Sequence, residues 1–229
     1  MKSPELLLPA GGPERMRTAF DYGADAVYAG SPRYSLRARN NEFAKLDVLQ
    51  AGITEAHARG KKFYLTVNTL PHNSKLKTFV ADMEPLVAMK PDALIMADPG
   101  LIMVTRERWP DMPVHLSVQA NTTNYWGVKF WQRIGVERII LSRELSMEEI
   151  AEIRQECPDV ELEVFVHGAL CIAYSGRCLL SGYFNHRDPN QGTCTNSCRW
   201  DYKVHNATES DAGDAQLLQG FNFEKAQEE

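Results

Sequence analysis

The fold is decided by the first unit of the chain, ELLLPAGGPERMRTAFDYGADAVYAG (residues 5–30). An apolar run, ELLLPA, leads into a stretch of helical character, which ends at Gly23 and is followed by a second apolar run, DAVYAG. Glycine suits the position after a helix because the left-handed conformation often needed there carries no side-chain penalty for it. The stretch therefore predicts a strand, a helix and a second strand.

The same unit recurs along the chain. Further strand-like runs are KKFYLTVN, DALIMADP, VHLSVQAN, RIILSRE and ELEVFVHG, and helix-like stretches such as LQAGITEAHARG and SMEEIAEIRQE lie between them. Strands that alternate with helices in this way predict parallel strands joined by right-handed crossovers. Seven such units favour a TIM-like (β/α) barrel over a doubly wound sheet, and PAGGPERM lacks the G-x-G-x-x-G of a Rossmann turn.

The count of units stops at seven, since only DYKVHN resembles a strand further on. We therefore expect an α/β protein with a TIM-like barrel that is truncated after about seven strands. The barrel domain is expected over residues 1–205, with a cysteine-rich loop (168–200) after strand seven. A polar tail or linker is expected over 206–229.

Composition narrows the class of protein. The 229 residues are 44% hydrophobic and 24% charged, which suffices for one sizeable core. The net charge of −5 argues against a nucleic-acid partner spread over the whole surface. No apolar run approaches the roughly 18 residues that a membrane span requires. We expect a cytoplasmic protein without a membrane partner, in which thiols stay reduced and clustered cysteines favour metal over disulfides.

Polar residues gather where the predicted strands end. Barrel enzymes act at the carboxyl ends of their strands, and one parity of each strand faces the interior. In three predicted strands the alternate residues that face the interior are of mixed polarity, and each series ends in a candidate catalytic residue. These residues are Asn68, Gln119 and His167. Other strand ends carry candidate substrate-binding residues, which are Arg37, Arg39, Asn121 and Arg143. Each has an alternative, structural role. Amide side chains at strand ends often form hydrogen bonds with the backbone of loops, and a lone histidine often has a structural hydrogen bond and no catalytic role.

Four thiols follow the last predicted strand, at Cys171, Cys178, Cys194 and Cys198. Four thiolates satisfy either tetrahedral zinc or a 4Fe–4S cluster, and packing or disulfides are the alternatives. Neither end of the set has the C-x2-C spacing usual in structural zinc sites. A fifth, Cys157, precedes a proline and strand seven, where packing at a helix end is the expected role.

The residues around the first two thiols carry a resemblance to a known family. EVFVHGALCIAYSGRCLLS (163–181) resembles the signature of the collagenase-like peptidase family U32, as do RYSLRARNNEF, LSVQANTTNYW and the opening unit. The resemblance covers about residues 4–203 and is closest to a branch that hydroxylates tRNA. It implies a barrel with a 4Fe–4S cluster, held by Cys171, Cys178, Cys194 and Cys198. It also implies oxygen-independent hydroxylation of tRNA at carbon five of the wobble uridine, with prephenate as hydroxyl donor.

The resemblance also suggests roles for the strand-end residues. Prephenate has two carboxylates, which the forks of Arg37, Arg39 and Arg143 match. Asn68, Gln119 and His167 are then expected to orient the ligand or move protons, with His167 suited to proton transfer near neutral pH.

Two other functions stay open. Other family members carry the name of protease, but H-E-x-x-H and G-x-S-x-G are absent here, and a cysteine nucleophile beside His167 leaves three thiols unexplained. An inactive fragment with a zinc-stapled loop is the third reading, because members of the hydroxylase branch continue well past this chain. The sequence does not indicate an oligomeric state.

Overall fold

The chain alternates short strands with helices in a computed structural model that describes residues 3–38, 41–168 and 170–202. The strands are β1 (Leu7–Pro9), β2 (Ala26–Gly30), β3 (Lys62–Val67), β4 (Ala93–Met96), β5 (Val114–Leu116), β6 (Arg138–Ile140) and β7 (Glu161–Glu163). The helices are α1 (Pro13–Asp21), α2 (Leu46–Ala58), α3 (Asn73–Leu76), α4 (Phe79–Ala88), α5 (Pro99–Arg108), α6 (Tyr125–Arg133), α7 (Met147–Glu156) and α8 (Leu180–Asn185). By their contacts the described residues fall into two units, one that ends at Thr195 and one that begins at Asn196.

The seven described strands form one parallel sheet. Its order is β1-β2-β3-β4-β5-β6-β7, so every strand pairs with its neighbour in the chain. Gly30 pairs with Thr66, for example, and Ile139 with Leu162. The predicted TIM-like arrangement of about seven strands is confirmed as a curled half-barrel. Within the described residues no strand joins the outer edges of β1 and β7.

Two apolar clusters lie on the two faces of the sheet, as the alternation in the strands predicts. Phe63, Leu65 and Val67 of β3 are fully buried in the cluster that includes helix residues such as Ile53 of α2. Tyr64, between them in sequence, belongs to the smaller inner cluster with Ile95, Val118 and Ile140. A strand buried on both faces in this way is typical of parallel sheets.

Strand seven is shorter than the sequence predicted. The run ELEVFVHG was expected to be extended to its end, but β7 stops at Glu163. The last ladder contact joins the Leu141 N–H to the Glu163 carbonyl at 2.9 Å. Beyond it the described chain offers no backbone partner, and Val166 is 86% exposed. The prediction that this strand reaches His167 is therefore wrong.

Helix ends follow local rules. Ser146 and Glu149 form the predicted capping box at the start of α7, and Asp98 caps α5 by accepting from the Leu101 N–H at 2.9 Å. Cys157 ends α7 and is buried in the outer cluster, which confirms its predicted packing role. None of the described helices has the length and apolar character to cross a membrane. The predicted tail over 206–229 lies outside the described residues, as does most of DYKVHN.

Candidate functional site

Asn68 links separate parts of the mouth, by which we mean the carboxyl ends of the strands. Its Oδ1 accepts from the backbone N–H of Leu36, in the loop after β2, at 3.2 Å. Its Nδ2 donates to the Oγ of Ser117, directly after β5, at 3.3 Å. The side chain therefore faces the interior, as the alternation in β3 predicts. Both contacts fix loop structure, and its catalytic role stays a prediction.

Gln119 and Asn121 lie in and after a 3-10 turn (Val118–Ala120) that follows β5. Asn121 has a left-handed backbone (φ 54°), which asparagine tolerates better than most residues. Its Oδ1 accepts from the Oγ of Ser142, after β6, at 2.8 Å. The half-buried Gln119 precedes it by two residues, so both amides lie at the mouth.

Two of the three candidate arginines stack on aromatic rings. The Arg143 guanidinium carbon lies 4.0 Å from the centroid of the Phe165 ring, and that of Arg37 lies 5.0 Å from the centroid of Tyr28. Arg37 also donates to the Tyr28 hydroxyl at 2.9 Å. Stacking of this kind restricts a guanidinium while leaving in-plane N–H groups for an anion. Arg39 lies outside the described residues.

His167 is not part of the sheet. It lies four residues past the end of β7 and is exposed, so nothing among the described strands orients its ring. Its predicted place at the end of a strand is wrong, and its proton-transfer role stays a prediction. The buried histidine of the half-barrel is His115 on β5, whose ring packs edge-on against Tyr64 with 4.8 Å between centroids.

A buried ionic cluster lies at the opposite, amino-terminal end of the strands, and sequence reading missed it. Arg138, at the start of β6, has a side chain only 9% exposed. It lies 2.6 Å from Glu5 Oε1, 2.6 Å from Glu161 Oε2 and 3.6 Å from Glu163 Oε2. The Tyr64 hydroxyl also donates to Glu5, at 2.8 Å. The sequence shows acidic residues at alternate positions of the last described strand, Glu161 and Glu163. It does not show that Arg138 is their partner.

Burial splits the pKa values in this cluster. For Glu5 burial opposes ionisation, but hydrogen bonds from Arg138, Lys62 and Tyr64 lower its pKa to about 2. For Glu163 burial prevails over the attraction of Arg138 and raises the pKa to about 7. Burial, followed by the charge of Arg138, lowers the pKa of His115 to about 3. An ionised, half-buried carboxylate (Glu5) and a neutral imidazole (His115) therefore coexist near neutral pH.

Glu163 makes stability depend on pH. Its folded pKa of about 7 lies above the ordinary 4.5, so its contribution is full below pH 4.5 and is lost as the pH rises through 7. We expect Glu163→Gln to stabilise the protein at pH 8 by about 1 to 3 kcal/mol more than it does at pH 5. Urea unfolding at both pH values measures the difference.

Glu161→Gln is the matched control for that measurement. Glu161 contacts the same arginine, but its side chain is 66% exposed. We expect no comparable dependence on pH between 5 and 8. Because His115 is present in every variant, its opposite dependence cancels in the comparison. Equal pH dependence of wild type and Glu163→Gln would show that this carboxyl stays ionised.

The cysteines after β7 differ in their surroundings. Cys171 and Cys194 are exposed, and Cys178 is half-buried. The Asn190 side chain donates to the Cys178 carbonyl at 3.0 Å, and Ser181 Oγ lies 3.9 Å from the sulfur of Cys194. Cys198 belongs to the unit that begins at Asn196. All five cysteines lie in the described part of the chain, and no disulfide joins any of them there.

Residues 170–195, here called the cysteine segment, contact the mouth at both ends. Near its start the Ser175 Oγ accepts from Arg143 Nη1 at 3.2 Å. Near its end the Gln191 side chain accepts from Lys75 Nζ at 3.2 Å and donates to the carbonyl of Leu70, after β3. The segment therefore reaches from the end of β6 to the end of β3.

The cysteines are the residue type that binds iron–sulfur clusters, but they are not arranged as the ligands of one. Thiolates are the usual ligands of such clusters. Within the described part of residues 3–195, however, no three Cys, His, Asp or Glu side chains are grouped closely enough to share a metal ion. The segment as it stands is therefore not an assembled metal site.

Fold and mouth together define a class: a parallel (β/α) half-barrel whose polar strand ends are contacted by a cysteine-bearing segment. The sequence matches peptidase family U32 over residues 11–227. The chain belongs to this family.

Two similar proteins are named for the hydroxylation of RNA. The chain is 68% identical to tRNA hydroxylation protein P of Escherichia coli (strain K12), over 93% of this chain and 47% of that protein. It is 36% identical to a 23S rRNA 5-hydroxycytidine synthase of the same organism, over 87% of this chain and 30% of that protein. The chain thus spans about half the length, or less, of these relatives. The U32 peptidase Mk0906 shares the fold, with a TM-score of 0.58, 16% identity and coverage of 72% and 70% of the two chains.

Proposed function

We propose that the chain carries the barrel part of a tRNA hydroxylase. The observation that carries the proposal is the 68% identity to tRNA hydroxylation protein P across nearly all of this chain. The mouth agrees with it, because two stacked arginines (Arg37 and Arg143) and three half-buried amides (Asn68, Gln119 and Asn121) lie there. Anionic, planar ligands suit such a surface.

The finer proposal is that the reaction hydroxylates carbon five of the wobble uridine without oxygen. Prephenate would supply the hydroxyl group and accept the two electrons that the uridine loses, and the hydrogen on carbon five would leave as a proton. Arg37 and Arg143 would hold the two carboxylates of prephenate, and Arg39 is proposed beside them. Asn68, Gln119 and Asn121 would orient the bound molecules. His167 would exchange a proton with the reacting groups near neutral pH.

We further propose that Cys171, Cys178, Cys194 and Cys198 hold a 4Fe–4S cluster, with zinc as the alternative. Such a cluster supplies redox chemistry when bound. Metal binding often orders the loop that supplies its ligands. An irregular segment with exposed thiols is compatible with ordering of that kind, so the cysteine segment is expected to rearrange when metal binds.

The test is hydroxylation of unmodified tRNA under nitrogen. We expect wobble uridine to gain one oxygen atom, measured by mass spectrometry of the digested tRNA, only when prephenate is present. Prephenate with heavy oxygen in its ring hydroxyl should transfer the label. A product that forms equally well without prephenate, or that takes its oxygen from labelled water, contradicts the proposed donor. Cleavage of a collagen peptide without tRNA product would instead support the peptidase alternative.

Prephenate binding provides a second measurement on the same proteins. Arg37→Ala and Arg143→Ala should each weaken binding by roughly 1.5 to 3 kcal/mol, the range for hydrogen bonds to charged groups. Arg33→Ala is the matched control, since Arg33 precedes Arg37 in the same loop but pairs with Asp82 of α4 at 2.9 Å. Wild-type affinity in both test variants would place the carboxylates elsewhere.

A further inference from the structure

Two glycines of the cysteine segment lie directly against backbone oxygens of the mouth. A Cβ at Gly176 would be 2.5 Å from the carbonyl oxygen of Gln119, and one at Gly192 would be 2.9 Å from that of Ser35. Both glycines also have positive φ, 72° and 90°. A backbone oxygen cannot move aside by rotating a side chain, so these two positions admit glycine alone without displacing the segment.

The two glycines lie on different parts of the mouth. Gln119 follows β5, whereas Ser35 lies in the loop after β2. Side-chain contacts flank each glycine, from Ser175 to Arg143 on one side and from Gln191 to Lys75 on the other. The cysteine segment is therefore held at two separate points, and each point combines a backbone approach with a hydrogen bond.

Each glycine also lies two residues before a thiol. Gly176 precedes Cys178, and Gly192 precedes Cys194. Two residues span at most about 7 Å, so the position of each glycine limits where its cysteine can be. We propose that Gly176 and Gly192 are positioning residues that fix Cys178 and Cys194 beside the mouth. The role of the two thiols rests on the proposed function, but the contacts of the two glycines with the mouth do not.

Limited trypsin digestion tests the seating without RNA or metal. Arg177 and Arg187 are exposed residues of the segment, and cleavage at them reports its release from the mouth. We expect Gly176→Ala and Gly192→Ala to speed cleavage there about tenfold, the factor that 1.4 kcal/mol produces in a population. Cleavage at Arg133 of α6 serves as the internal reference and should not change.

Gly168→Ala is the matched control. Gly168 also has a positive φ, 126°, but no atom of the described residues beyond its chain neighbours lies within 4 Å of an added Cβ. This variant therefore carries the backbone strain without the overlap, and its cleavage at Arg177 and Arg187 should stay close to wild type. Equal acceleration in all three variants would overturn the proposal, as would faster cleavage at Arg133 in step with the other sites. If the alanine variants do not fold, Lys75→Met removes one seating contact without an overlap and should accelerate cleavage at Arg187.

Kinetics separate positioning from general support. In the tRNA assay the two glycine variants should lower kcat and leave the KM for tRNA unchanged, because they displace thiols and not an RNA contact. A raised KM with unchanged kcat contradicts the assignment. If no variant or wild type hydroxylates tRNA while the digestion pattern holds, the seating stands and the proposed function fails.

Discussion

Replacing Arg138 by methionine is expected to lower the free energy of unfolding by about 3 to 5 kcal/mol, the range for removing one partner of a buried ion pair. The Arg138 side chain is 9% exposed, and its guanidinium lies 2.6 Å from both Glu5 and Glu161. Methionine fills similar volume, so the loss reflects charge and not an empty cavity. Without the cation, Glu5 loses its most buried partner and keeps the more exposed Lys62 at 2.8 Å and the Tyr64 hydroxyl at 2.8 Å.

Urea unfolding at pH 7 measures this loss. Arg15→Met is the control, because the Arg15–Glu42 pair is exposed on both sides (67% and 60%) and such pairs are worth about 0 to 1 kcal/mol. The double variant Glu5→Gln, Arg138→Met should recover part of the loss, since it removes one of the carboxylates left behind. A loss below that of the control variant would show that water reaches the cluster and screens it.

Anaerobically prepared protein is expected to hold about four iron and four sulfide per chain, with broad visible absorbance. Replacing any one of the four candidate ligands by alanine should abolish the absorbance and most of the iron. These ligands are Cys171, Cys178, Cys194 and Cys198. Cys157→Ala should keep both, because that thiol is buried at the end of α7 in the outer apolar cluster.

Metal and sulfide analysis distinguishes the alternatives. Zinc without colour or sulfide would favour a stapled loop over an iron–sulfur cluster. Full cluster retention in two of the four ligand variants would refute the ligand set. The described segment does not group three of these residues. The cysteine segment should therefore be more ordered in metal-loaded than in metal-free protein, which is measured as protection from trypsin at Arg187.

The fold was largely predictable because its signals are local. The alternation in β3 separates Phe63 and Leu65 from Tyr64 within a few residues, and the capping box at Ser146 spans three. The end of β7 was not predictable in the same way. Valine and phenylalanine after Glu163 favour extended backbone, but a strand also needs a neighbour, and the ladder ends at Leu141.

The candidate site was predictable only in part, for a related reason. Residue types at strand ends correctly placed Asn68 and Arg143 at the mouth. Their partners come from distant segments: Ser175 lies 32 positions from Arg143, and Glu5 lies 133 positions from Arg138. No short pattern encodes such a pairing. The buried ionic cluster and the seating of the cysteine segment therefore emerged only in three dimensions.

The strands lie in the sheet in the same order as in the chain, and this has a consequence for folding during synthesis. Every strand pairs with the one made just before it, so each contact between strands closes the loop of a single crossover and not of several. During synthesis the sheet can grow one strand at a time from β1. The points that receive Gly176 and Gly192, at Gln119 and Ser35, precede the cysteine segment in the chain. The cysteine segment thus emerges from the ribosome after the backbone positions that receive its two glycines, so it can dock on the mouth as soon as it is synthesised.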